Sequence, residues 1–154
     1  MFKNFEIYRD YGVVDHSKIS EFEIYNGVKL PSLYKELLSK HDAVWFHNRD
    51  FNLIFKGEVI TRDVTFFGFG DNLRKSNQIH KMQQEEYSHE GIIVFGQSCE
   101  GDYICFDYRA NPNSNNPPVV LMLHDYPDDD GKLFICTVSD SFESFLSVLR
   151  SYDE

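Results

Sequence analysis

Hydrophobic positions change period along this chain, and the changes divide it into stretches of different kinds. Ile19, Phe22 and Tyr25 recur at helical spacing. They predict a helix over 18–26, with Ser17 as its N-cap and Asn26-Gly27 as its stop. Pro31 suits the first position of a second helix, which needs no amide donor. Leu33, Tyr34, Leu37, Leu38 and His41 make that helix's apolar stripe, and Lys35, Glu36 and Lys40 lie outside it. The two read as a helical hairpin packed on a sheet. From Ala43 to Gly70 β-branched and aromatic residues dominate, broken at Asn48-Arg49-Asp50 and Lys56-Gly57. Strands are expected near 43–47, 52–60 and 63–69. Residues 71–88 are polar, free of Gly and Pro, and rich in Gln, Lys and Glu. That stretch predicts a surface helix with Leu73, Ile79, Met82 and Tyr87 facing inward.

The second half reads differently. Residues 92–95 are continuously apolar, as expected of a strand covered on both faces, and 103–108 follow as another central strand. Residues 111–118 form a Pro/Asn connection. Strands over 119–124 and 132–138 flank Tyr126-Pro127-Asp128-Asp129-Asp130-Gly131, where Asp-Gly signals a hairpin turn. Asp140-Ser141-Phe142-Glu143 has capping-box spacing, which opens a last helix that buries Phe142, Phe145, Leu146 and Leu149. Residues 1–14, with Phe2, Phe5, Tyr8 and Tyr11, read as an extended lead-in. The order of elements gives an α+β fold: a single domain over 1–154, with a mostly antiparallel twisted sheet flanked by helices.

Composition agrees with one core. The 154 residues are 42% hydrophobic and include 14 Phe and 9 Tyr, each ring burying about 150–250 Å². The start of the chain lacks a signal-peptide core, and no stretch approaches the roughly 20 apolar residues of a membrane span. Cys99, Cys105 and Cys136 cannot all pair, and their setting predicts buried free thiols in a reducing cytoplasm.

Charge narrows the function. Residues 99–154 hold 11 acidic and three basic side chains, against 14 and 12 in residues 1–98. Such a field opposes nucleic acid and acidic membranes, and it attracts a basic protein surface. Solubility alone is the plain alternative. His124-Asp125 with Asp128, Asp129 and Asp130 could gather a divalent cation, but EF-hand spacing is absent, so a solvated turn or the rim of a basic partner is the better reading. Glu100, Asp102 and Asp107 could be paired catalytic carboxylates; Asp102 beside Gly101 more readily bonds local amides. Cys99 with a distant histidine lacks a local signature. Gly68-Phe69-Gly70 lacks phosphate-loop spacing. Trp45 is weighed as an exposed anchor and assigned to the core. The expectation is binding without catalysis, cofactor or metal, through Glu100, Asp102, Asp107, Asp125, Asp128, Asp129 and Asp130, by a monomer or weak dimer.

Four segments in order resemble one family. Gly27-Val28-Lys29-Leu30-Pro31-Ser32-Leu33-Tyr34 resembles a Gly…Leu-Pro…Tyr helix start. The strand 92–96 followed by Glu100-Gly101-Asp102-Tyr103-Ile104-Cys105-Phe106-Asp107 resembles a central strand pair. Asn116-Pro117-Pro118-Val119-Val120 with His124-Asp125 resembles the next strand, and Ser139-Asp140-Ser141-Phe142-Glu143-Ser144-Phe145-Leu146 a closing helix. Together they are similar to the SUKH superfamily, of the Smi/Knr cell-wall-assembly-regulator type. The resemblance implies an immunity protein that binds a toxin, often a nuclease, inside the cell. A non-enzymatic regulatory interaction scaffold is the alternative. The family offers no catalytic residues to place on this chain.

Overall fold

Capping decides where the helices begin. In the computed structural model, which describes residues 5–84 and 86–151, the Asp15 carboxylate accepts from the Ser17 amide and starts α1 (His16–Asn26). The cap is therefore Asp15, two residues ahead of Ser17, because its side chain reaches an otherwise unpaired amide. Gly27 ends α1 at φ 66°. Pro31 precedes α2 (Ser32–Lys40) as its cap and puts Tyr34, Leu37 and Leu38 in the core. The aromatic lead-in pairs as β1 (Ile7–Arg9) with β2 (Trp45–Phe46); Phe2 lies outside the described residues. Phe46 is buried, whereas Trp45 is half-buried and stacks on Tyr8.

The expected strand over 52–60 is instead a hairpin of β3 (Asp50–Phe55) and β4 (Glu58–Asp63). Lys56 and Gly57 turn it, at φ 51° and 80°, the two positive values that a two-residue hairpin with right-handed twist requires. The main sheet has five antiparallel strands in sequence order: β5 (Thr65–Phe66), β6 (Ile92–Gln97), β7 (Tyr103–Asp107), β8 (Val119–Pro127) and β9 (Leu133–Ser139). The third helix, α3 (Phe142–Val148), is capped by Ser141, whose hydroxyl accepts from the Ser144 amide. That places the cap one residue after Asp140.

The described residues of 71–88 do not form the expected helix. Short 3-10 turns at Lys75–Asn77 and Ile79–Lys81 replace it. Glutamine side chains take the place of a helical ladder here. Gln78 Nε2 donates to Leu73 O at 2.7 Å. Gln83 donates to Val94 O at 2.8 Å and accepts from Val94 N at 3.0 Å, so it covers part of β6 where β5 does not reach. The inward positions Leu73 and Ile79 are nevertheless buried, while Tyr87 is exposed.

An aromatic cluster joins helices to sheet. Tyr34 of α2 and Phe142 of α3 meet Phe95 of β6 and Phe106 of β7 edge-on, with ring centroids 5.0–6.0 Å apart. Phe95 stacks on Phe106 at 4.1 Å. Each such pair adds about 0.5–1.5 kcal/mol beyond burial. The cluster fixes the sheet beneath the helices and leaves the β3–β4 and β8–β9 hairpins to carry surface features.

Candidate functional site

The acidic residues singled out in sequence separate into four groups. Asp102, at the start of β7, is the buried one. Its side chain is 2% exposed, and both oxygens are occupied. Arg62 Nε of β4 donates to Oδ2 at 2.7 Å. The His124 amide and ring Nδ1, on β8, both donate to Oδ1, at 3.0 and 2.5 Å. Burial alone pushes this carboxyl up, but the Arg62 and His124 bonds outweigh burial and hold it below the usual range. Asp102 therefore ties two hairpins together from inside and cannot be offered to a partner.

Glu100 belongs to a cleft of about 530 Å³ that also takes in Asp50, Asp63, Cys99, Arg49, Arg62 and His47. Asp50 and Asp63 face each other across the β3–β4 ladder. Burial first and the Asp63 charge second push the Asp50 carboxyl up. Neither aspartate was singled out in sequence. The signal was present: a two-residue turn at Lys56-Gly57 forces Asp50 opposite Asp63. Cys99 is exposed at this cleft, contrary to the expectation of three buried thiols; Cys105 and Cys136 are buried as expected. It sits in the turn before β7, where the Asp63 carboxylate accepts from its amide at 3.0 Å. Its thiol donates to Glu100 rather than to a histidine. The Asp63 hydrogen bond, desolvation and the Asp63 charge push this thiol up to about 12. Asp63, Cys99 and Glu100 can bring one atom each within 4.8 Å of one another; a thiol held protonated at neutral pH is a poor nucleophile.

Asp107, at the end of β7, receives Arg109 Nε and Nη2 at 2.9 Å each. The surface there presents a neutral fork, not a free anion. Burial raises and the Arg109 bonds lower its carboxyl, with a net fall.

The remaining aspartates share the β8–β9 hairpin. Asp125 is 72% exposed and lies 3.1 Å from His124 Nε2. Asp128 accepts from the Asp130 and Lys132 amides at 2.9 Å and thereby shapes the turn. Asp129 and Asp130 are exposed. A histidine anchors the hairpin: His89 Nε2 lies 2.9 Å from Leu133 O, and the Leu133 amide donates to Tyr87 O. Beside the aspartates stand residues the sequence reading did not single out for contact. Phe55 of β3 packs on Tyr126 and Phe134 with centroids 4.9 and 5.7 Å apart. Tyr126 and Phe134 remain 44% and 46% exposed, and Lys56 Nζ lies 5.1 Å from the Tyr126 ring centre. The strand expected over 132–138 assigned Phe134 to neither face, and its contact with Phe55 comes only from the meeting of the two hairpins.

Among the described residues no helix is long and apolar enough to cross a membrane. The SUKH-type family model described as SMI1-KNR4 cell-wall matches residues 16–146, from the first residue of α1 into α3. No curated protein matches the chain at a significant level.

Proposed function

This chain belongs to the SMI1-KNR4 family of SUKH proteins, and from that premise we propose that it is an immunity protein. It binds a cognate protein toxin, covers the toxin's working surface and carries out no turnover. The observation that supports this reading is a set of exposed acids in the last third of the chain. Glu100, Asp125, Asp129 and Asp130 are exposed, while the one exposed thiol is held protonated. A field of that sign speeds the encounter with a basic partner. The toxin is accordingly cationic and nuclease-like, and the carboxylates occupy Lys and Arg groups that it uses on phosphates. The protein acts in the cytoplasm, as a monomer or weak dimer, without cofactor or nucleic acid. Asp102 stands outside the contact set because its oxygens are already taken, and Asp107 because Arg109 neutralises it.

Co-expression tests the proposal. The chain is produced together with the C-terminal domain of the polymorphic toxin encoded beside it. Growth restored in proportion to the amount of this protein supports immunity. Killing that is equal with and without it removes the reading and leaves the regulatory scaffold.

A further inference from the structure

We infer that the joined tips of the β3–β4 and β8–β9 hairpins are the toxin-docking face, with Tyr126 and Phe134 as anchors and Asp125, Asp129 and Asp130 as rim. The inference rests on the immunity reading and gives that reading a place on the molecule. Interfaces concentrate their energy in central aromatic side chains surrounded by polar groups that exclude water. Here Phe55, Tyr126 and Phe134 form one ring cluster, of which the outer two rings stay nearly half exposed. Asp125 precedes Tyr126 directly, and Asp128, Asp129 and Asp130 follow it within four residues.

The charge around the rings selects the occupant. A second copy of this chain would bring the same aspartates against each other, on molecules that each carry a formal charge of −10. A cationic protein surface meets them favourably. The arms that hold the rings are also set in advance. Arg62 of β4 and His124 of β8 are bound to the same buried Asp102, and His89 and Tyr87 hold the second hairpin at Leu133. A preset pair of anchors loses little freedom on binding.

Surface plasmon resonance with the toxin domain that the wild-type chain neutralises tests the assignment. The double variant Tyr126→Ala/Phe134→Ala is expected to dissociate at least tenfold faster with little change in association rate. Asp125→Asn/Asp129→Asn/Asp130→Asn is expected to associate several-fold more slowly and to flatten the salt dependence. Tyr25→Ser, which alters an 85% exposed ring on α1, should leave both rates unchanged. Circular dichroism and thermal melting confirm that each variant is folded. Wild-type rates in the two hairpin variants, or a loss confined to Tyr25→Ser, overturn the docking face while immunity stands. A wild-type chain that binds no toxin domain fails at the earlier step, and the docking face falls with it.

Discussion

Tyr34 shows how far one side chain can depart from the usual balance. It is fully buried among Phe69, Phe95, Phe106 and Phe142, and its hydroxyl has no hydrogen-bond partner among the described residues. An unpaired buried hydroxyl costs roughly 1–3 kcal/mol. Tyr34→Phe keeps the ring contacts and removes that cost, so urea denaturation should find the variant as stable as the parent or about 1 kcal/mol more stable. Asp102 makes the opposite case. Its folded carboxyl is held below its ordinary range, so its contribution is complete above about pH 4, the unfolded value, and is lost as pH falls through the lower folded value. Asp102→Leu removes the bonds from Arg62 and His124, leaving Arg62 the Thr61 carbonyl at 2.9 Å and Glu100 at 3.9 Å, and should cost about 2–3 kcal/mol at pH 7. The difference between variant and parent should shrink in urea titrations below pH 4. Neither role was legible in the sequence. A tyrosine on an apolar stripe announces burial but not the absence of a partner. An aspartate after glycine announces a turn but not an arginine 40 residues earlier in the chain.

Between elements, close approach matters more than propensity. Gly96 lies where β6 is paired on both sides, with Phe66 of β5 and Ile104 of β7. A Cβ built there would stand 2.8 Å from the Thr65 carbonyl oxygen and 3.0 Å from Val64 Cγ2. Backbone cannot yield as a flexible side chain can, so Gly96→Ala should lower stability by about 1–3 kcal/mol. Hydrogen exchange should show the loss first at Phe67, whose amide donates to the Phe95 carbonyl of β6. The β6–β7–β8–β9 order was readable because each strand is a bounded apolar run and each connection carries Gly, Pro or Asn. Two errors share one cause. The reading treated Lys56-Gly57 as an interruption within a strand, although lysine is an uncommon occupant of the positive-φ turn position that it fills. It treated 71–88 as a helix because no helix breaker stands there, whereas Gln83 bonds Val94 of β6 and Gln78 turns back on the Leu73 carbonyl. Local pattern records what a segment can form alone, and these two were decided by their neighbours.

At the scale of the whole molecule, charge and stability are carried by different parts. The core consists of rings and aliphatic side chains beneath the helices, and the exposed acids Glu100, Asp125, Asp129 and Asp130 stand on hairpins and turns. Reversing Asp129 and Asp130 to lysine should therefore change the melting free energy by no more than about 0.5 kcal/mol, while sharply slowing association with a basic partner. Calorimetry and stopped-flow mixing read the two quantities separately. The acidic bias of the last third was visible from composition. Its division into a buried tie at Asp102, a neutral fork at Asp107, a cleft at Glu100 and an exposed tip was not, because sequence distance says nothing of which way each carboxylate faces once the strands pair.

One consequence follows from the placement of Asp102 between Arg62 and His124. Asp102, to which both arms are bound, is buried, whereas at the tips the side chains of Asp129 and Asp130 are exposed. The recognition end can thus be rewritten by substitution while the hinge-free mount behind it stays the same. Under the proposed immunity role, such an architecture suits a change of target: novelty can accumulate at the fingertips while the wrist is kept.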